Sequence, residues 1–105
     1  MKMIRAIIRP EKENDVVKAL ELVGISAYTK LDVLGRGKQK GIQIGSAVYD
    51  ELAKVMLMIV IEDQVSDEAT EAIAAAGRTG QFGDGKIFIS PVEAAITVRT
   101  GKPSL

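Results

Sequence analysis

Met3 to Arg9 is an isoleucine-rich stretch stopped by Pro10, which predicts a first strand. The hydrophobic period then changes. Val16, Val17, Leu20 and Val23 fall on one helical stripe within residues 11–23. Glu11, Glu13 and Asp15 occupy the opening turns, where the helix dipole favours acids, and Gly24 stands at the stop. Mixed β-branched and polar residues from Ile25 to Leu34 predict a second strand, and Lys54 to Glu62 a third. Ser66 is placed to cap a second helix carrying Ala69, Ala72, Ile73 and Ala76, with Asp67 and Glu68 at its start and Gly77 at its end. Lys86 to Ser90, continuing towards Val98, predicts the last strand. The order β-α-β-β-α-β is the split βαβ, or ferredoxin-like, arrangement of the α+β class, with four antiparallel strands and two helices on one face.

Val55 to Ile61 departs from simple alternation. A continuous apolar run predicts a strand covered on both faces. Two short helices cover one face, so the other needs a partner, and a homo-oligomer packed sheet to sheet with closed symmetry is expected. The competing account is a central strand shielded by the chain's own loops.

Bulk composition narrows the classes. The 105 residues suffice for a single domain over 1–105. Fourteen basic and fourteen acidic residues cancel, so nothing global points to nucleic acid or an anionic membrane. Cysteine and histidine are both missing, which removes disulfides, thiolate chemistry, Cys/His zinc sites and the commonest general base. Arg5 and Arg9 interrupt the first apolar stretch, unlike a signal peptide, and Val55–Ile61 is too short for a membrane span. A cytoplasmic location is the expectation.

The candidate chemistry lies in two segments that hold eight of the ten glycines, Gly35 to Gly45 and Gly77 to Lys86. The first carries Arg36, Lys38 and Lys40, the second Arg78 and Lys86. Glycines let backbone N–H groups converge on an anion that lysine or arginine neutralises. Each segment lies at a strand end, so the two could meet around one polyphosphate; the plainer account is tight turns with solvated cations. Gly80 to Lys86 fits G-x-x-x-x-G-K, but Ile87 replaces the Ser or Thr of a P-loop and a strand follows, so this is no Walker motif. Gly35, Gly37 and Gly41 do not have the spacing of a dinucleotide fingerprint. Residues 37–51 form a connection too long for an ordinary hairpin, with Tyr49 near its end as a partner-contact candidate or a packed loop base. Asp84 between two glycines suits an Asx-type turn better than a magnesium ligand. A small phosphohydrolase, with Arg36 or Arg78 gripping phosphate and Gln39 orienting water, is disfavoured for want of a nucleophile and base.

Gly83-Asp84-Gly85-Lys86-Ile87-Phe88, the tail Arg99-Thr100-Gly101, the opening Met1 to Pro10 and Gly35-Arg36-Gly37-Lys38-Gln39-Lys40-Gly41 together resemble the PII signal-transduction family, nearly end to end. The resemblance implies a trimeric regulator, not an enzyme, that binds ATP or ADP in the clefts between subunits. Magnesium and 2-oxoglutarate are implied at the base of the long loop, the family's T-loop (about 37–51). Thr29, Gly35, Gly37 and Lys38 match nucleotide-contacting positions. Gly83, Asp84, Gly85 and Lys86 match the B-loop (about 78–86), and Arg99 in the C-terminal segment (about 97–105) matches a phosphate ligand. Gln39 matches the side chain that coordinates magnesium with the oxoacid. Lys54 matches the lysine that pairs with its carboxylate, and the amides of Lys40 and Gly41 match further donors to it.

Three departures accompany the match. The T-loop is several residues shorter than in typical bacterial members, the sequence around Tyr49 differs from a uridylylated tyrosine site, and Thr97 stands where the family often has an arginine. The short loop is similar to the nitrogenase-associated branch of methanogens and anaerobic bacteria. That likeness implies a homotrimer or a mixed oligomer with a sister PII subunit, and dinitrogenase as the target. The alternatives are another target, such as an ammonium transporter or a metabolic enzyme, and a structural trimer of the copper-tolerance type without a nucleotide site.

Overall fold

The computed structural model describes residues 1–38, 40 and 42–105, with the backbone alone at Ile42 and Tyr49. The expectations placed on Gln39, on Gly41 and on the Tyr49 side chain lie outside the described residues. In chain order the elements are β1 (Lys2–Ile8), α1 (Glu13–Leu22), β2 (Thr29–Gly35), β3 (Ile42–Ile44), β4 (Ala47–Tyr49), β5 (Leu52–Ile61), α2 (Ser66–Gly77), β6 (Gly85–Pro91), β7 (Ile96–Thr97) and β8 (Lys102–Pro103). Four strands pair in the order β2-β5-β1-β6, every neighbour antiparallel. This is the ferredoxin-like sandwich that the periodicity predicts.

Side chains of a strand alternate between faces; here the helix face is apolar, and the other face carries apolar residues around an exposed Arg5, which pairs with Met58 and Phe88. Ile4, Ala6 and Ile8 of β1 and Val55, Leu57, Ile59 and Ile61 of β5 are buried with Val16 and Leu20 of α1 and Ala69 and Ile73 of α2. The interleaved residues Met56, Met58 and Val60 point to the other face, where no helix lies, and are half-buried by their neighbours. Leu31 on β2 and Phe88 on β6 share that open face; they are 43% and 52% exposed. The run in β5 is therefore two stripes, one covered by helices and one uncovered, as the apolar pattern demands.

Element boundaries differ from the sequence expectation, each for a local reason. Pro10–Lys12 forms a 3-10 turn, so the first helix begins at Glu13. Its end is a Schellman-type cap: Gly24 takes φ +86°, its N–H donates to Glu21 O, and Ile25 N–H donates to Leu20 O. Ile25 thus belongs to the cap, and the second strand starts at Thr29 rather than at Ile25. The third strand is Leu52–Ile61, two residues longer at its start than expected. Ser66 does not cap α2, because a 3-10 turn at Asp63–Val65 leads into the helix and no side chain caps it. The last strand stops at Pro91 instead of continuing towards Val98, since its partner β1 ends opposite, with Lys2 facing Pro91. Beyond it, β7 and β8 form a separate small hairpin. Within the long connection, β3 and β4 also form a hairpin turned by Gly45 and Ser46, with Gly45 at φ +61°.

An uncovered stripe of Met56, Met58, Val60, Leu31 and Phe88 is unfavourable in water. Sedimentation of the intact chain is expected to give a species several-fold heavier than 11.2 kDa. A single 11.2 kDa species at micromolar concentration would contradict that expectation.

Candidate functional site

The strand register brings the two glycine segments to one edge. Gly35, the last residue of β2, pairs with Leu52, the first of β5. Ile8, the last residue of β1, pairs with Val55 on one side and with Gly85, the first of β6, on the other. Four strand ends therefore lie together, and a pocket of about 550 Å³ opens there. Such a volume lies within the range usual for small-ligand sites, about 300–1,000 Å³.

One wall comes from the end of β2 and the residues after it, Gly35, Arg36, Gly37 and Lys38. The opposite wall is the loop Gln81 to Lys86. Leu52 and Lys54 of β5 form the floor with Ile7 and Phe88. The structure thus brings together Gly35, Gly37, Lys38, Lys54, Gly83, Asp84, Gly85 and Lys86 of the positions singled out in the sequence. Thr29 and Arg99 are not brought to the pocket of their own chain. Thr29 begins β2, six residues from Gly35 and so about 20 Å along the strand. Arg99 sits in the turn between β7 and β8. Lys40 does not line the pocket among the described residues; it takes φ +60°, and its N–H donates to Gly37 O at 3.0 Å.

Asp84 organises the loop. Its Oδ1 accepts from Thr79 Oγ1 at 2.5 Å and from Arg9 Nε at 2.9 Å, while Oδ2 accepts from the N–H groups of Thr79 and Gly80, each at 2.8 Å. The Thr79 hydroxyl first, and then Arg9 and the two amides, hold the Asp84 carboxyl well below the usual carboxylate range. With its oxygens engaged in this way, Asp84 is a scaffold for the loop and not an open magnesium ligand. Arg9, by contrast, drew no notice in the sequence beyond interrupting an apolar stretch. Only its place at the end of the strand beside Gly85 hints at the contact.

Lys54 is 7% exposed and donates from Nζ to the carbonyl of Gly83. Burial, and then the charge of Arg9, push its ammonium below the ordinary lysine value. An anion beside it would offset both effects. Arg36, Lys38 and Lys86 add cations around the same pocket, against the single further carboxylate of Asp50. Gly83 takes φ +96° and Gly85 φ +109°. A Cβ at Gly85 would lie 1.7 Å from Ile7 O, so only glycine lets β6 start against β1. Among the described residues no group of three or more acids, cysteines or histidines could hold a metal ion. The donor set suits a polyanion with an apolar portion resting on Ile7, Leu52 and Phe88.

The family described as "Nitrogen regulatory protein P-II" matches residues 1–102. The chain belongs to the P-II family. It is 55% identical over its full length, and that of its relative, to "Nitrogen fixation nifHD1 region GlnB-like protein 1" of Methanosarcina barkeri. A similar "Nitrogen fixation nifHD region glnB-like protein 1" of Methanococcus maripaludis is 58% identical, covering 95% of each chain. "Nitrogen regulatory protein P-II" of Cereibacter sphaeroides is 47% identical over 97% of this chain and 95% of its own. Members of the family are regulatory signal-transduction proteins, and a trimer is consistent with membership. Among the described residues no helix is long and apolar enough to cross a membrane.

Two outcomes are expected of this P-II chain. Gly85→Ala should destabilise it by about 1–3 kcal/mol from backbone conformation alone, more once Ile7 O is displaced, measured by urea unfolding. An unchanged midpoint would show that the loop tolerates a Cβ. The second concerns acid. Because the Asp84 pKa is depressed on folding, its contribution is complete above the unfolded value of about 3.9 and is lost as pH falls below that. Amide-exchange protection of Thr79 and Gly80 should therefore hold at pH 5 and fall in stronger acid, after correction for intrinsic exchange rates.

Proposed function

We propose that this P-II chain is an effector-sensing nitrogen regulator that binds ATP or ADP, with magnesium and 2-oxoglutarate beside the phosphates, and controls a target protein through its T-loop. The observation that carries the reading is the convergence of two cationic glycine loops on one pocket at the base of the β3–β4 hairpin. Gly83, Gly85 and Lys86 take the phosphates from one wall, and Gly35, Gly37 and Lys38 from the other. Thr29 and Arg99, which lie away from their own pocket, join it from a neighbouring subunit in the clefts of a trimer. Gln39 holds the magnesium, which neutralises phosphate charge when bound. Lys54 faces the oxoacid carboxylate, with the amides of Lys40 and Gly41.

The loop geometry suggests how an effector is felt. The Lys40 N–H already donates to Gly37 O in a turn with a left-handed residue. A dicarboxylate that takes this N–H must open the turn, and so rearranges the strands that follow. An effector moves such an equilibrium only by its preference for one loop state. Couplings of about 1–3 kcal/mol are usual and change partner affinity about 5–150-fold. The relatives named for nifHD regions favour dinitrogenase as the target, reached by an assembly of this chain alone or with a sister subunit, with Tyr49 in the contact.

Calorimetric titration of ATP and magnesium, with and without 2-oxoglutarate, tests the reading. Tighter oxoacid binding in the presence of MgATP is expected. Gln39→Ala should keep part of the ATP affinity and lose that cooperation; equal loss of both, or of neither, would remove Gln39 from the magnesium role. A chain that binds no nucleotide would be a structural trimer instead, and sustained turnover of ATP would make it an enzyme. For the target, purified dinitrogenase should lose activity with this chain and its sister subunit and regain it on addition of 2-oxoglutarate.

A further inference from the structure

Arg9 reaches the anion-binding loop without lining its pocket. It follows β1 directly, and its backbone is extended (φ −63°, ψ 138°), as expected before Pro10. The side chain is only 18% exposed. Its Nε donates to Asp84 Oδ1 at 2.9 Å, Nη2 donates to Phe82 O at 2.8 Å, and Nη1 lies 3.8 Å from Glu11 Oε1. One planar guanidinium thus grips a carboxylate and a backbone carbonyl of the same loop, a geometry an ammonium cannot reproduce.

The second of these bonds decides the loop's orientation. In a trans peptide the C=O of one residue and the N–H of the next point in opposite directions. Holding Phe82 O towards Arg9 therefore turns the Gly83 N–H away from Arg9, on the residue that does line the pocket. Gly83 has φ +96° and carries no Cβ, so its peptide could flip at little steric cost. A flip would present a carbonyl oxygen where an anion is to bind.

We propose that Arg9 is a positioning residue that locks the Phe82–Gly83 peptide with its N–H aimed at the bound anion. The inference rests on the nucleotide reading given above. Arg9 does not line the pocket, so it acts on affinity through Gly83 and not by contact with phosphate. Its pairing with Asp84 anchors the guanidinium, and its hold on Phe82 O performs the selection.

The test uses the full chain, ATP with magnesium as the probe, and nitrogen-labelled protein for Gly83. Arg9→Gln should bind MgATP roughly tenfold more weakly, and Arg9→Lys should fall between it and the parent. In an Asp84→Asn background, Arg9→Gln should still weaken binding, because the carbonyl clamp is lost whether or not the carboxylate is charged. Without ligand, the Gly83 amide signal should shift or broaden in Arg9→Gln while the sheet's amide signals stay in place. A folded Arg9→Gln chain with parental affinity and an unchanged Gly83 signal would overturn the inference. So would full recovery in the Asp84→Asn background, which would reduce Arg9 to a counter-ion. A parent chain that binds no MgATP would instead overturn the nucleotide reading, while the Gly83 signal in the free protein would still judge the clamp.

Discussion

Ile8 fixes the place of the pocket although it does not line it. It is the last residue of the strand shared by both halves of the sheet, and it pairs with Val55 and Gly85 at once. That double register places the start of β5 and the start of β6 beside the end of β1. Through the β2–β5 pairing, the end of β2 arrives at the same edge. A shift of one residue in either pairing would turn a buried stripe outward and pull the two glycine segments apart. The core therefore enforces the site. Ile8 is also buried against the helices, so the energy that maintains the register is apolar burial and not any polar contact at the pocket.

The sheet's open face and the pocket share residues. On the helix side, burial of Ile4, Leu57, Ile73 and Val16 is complete within one chain. On the open side, Met56, Met58 and Phe88 wait for another surface. Ile7 and Phe88 belong to that open face and also to the pocket wall. Whatever covers the open face approaches the pocket wall. Thr29 and Arg99 are remote from their own pocket, and only the proposed function assigns them to a neighbour's.

Much of this was legible in the sequence because it is periodic. The change from isoleucine-rich strand to helical stripe at residues 11–23, and the unbroken run from Val55 to Ile61, lead directly to the sandwich and its uncovered face. The glycines and cations at both strand ends were equally plain, since strand order alone brings them near one another. Boundaries were less legible where a neighbour decides them. Pro91 ends β6 because β1 has run out opposite it, and Ile25 leaves β2 because its N–H closes the cap of α1. The β3–β4 hairpin lies inside the connection whose length marked it only as a long loop, because three-residue strands leave too little pattern to read. Arg9 was invisible for a different reason. Its partners are 73 and 75 residues away, and no local pattern encodes a contact across that distance.

The loop shows how a polar network can brace one wall of a pocket. Asp84 engages both its oxygens with Thr79, Gly80 and Arg9, leaving it fully satisfied and hence rigid. Rigidity there suits phosphate, whose charge is better met by donors already in place than by donors that must be gathered. The other wall is built differently. Among the described residues, Lys40 has a backbone bond to Gly37 and a left-handed conformation that costs a lysine more than a glycine. One wall is thus braced by side chains, while the other turns on a left-handed lysine. A ligand spanning both would do most of its conformational work on the weaker wall, and that wall leads into β3 and β4. The eight residues from Ile42 to Tyr49 carry no charge, so any partner that the proposed function brings there would be held by shape and apolar contact. Such a surface is lost when its backbone rearranges, because buried apolar area depends on fit in a way that long-range charge attraction does not. On the proposed function, a change at Lys40 is thus placed to reach the hairpin without any movement of the sheet beneath it.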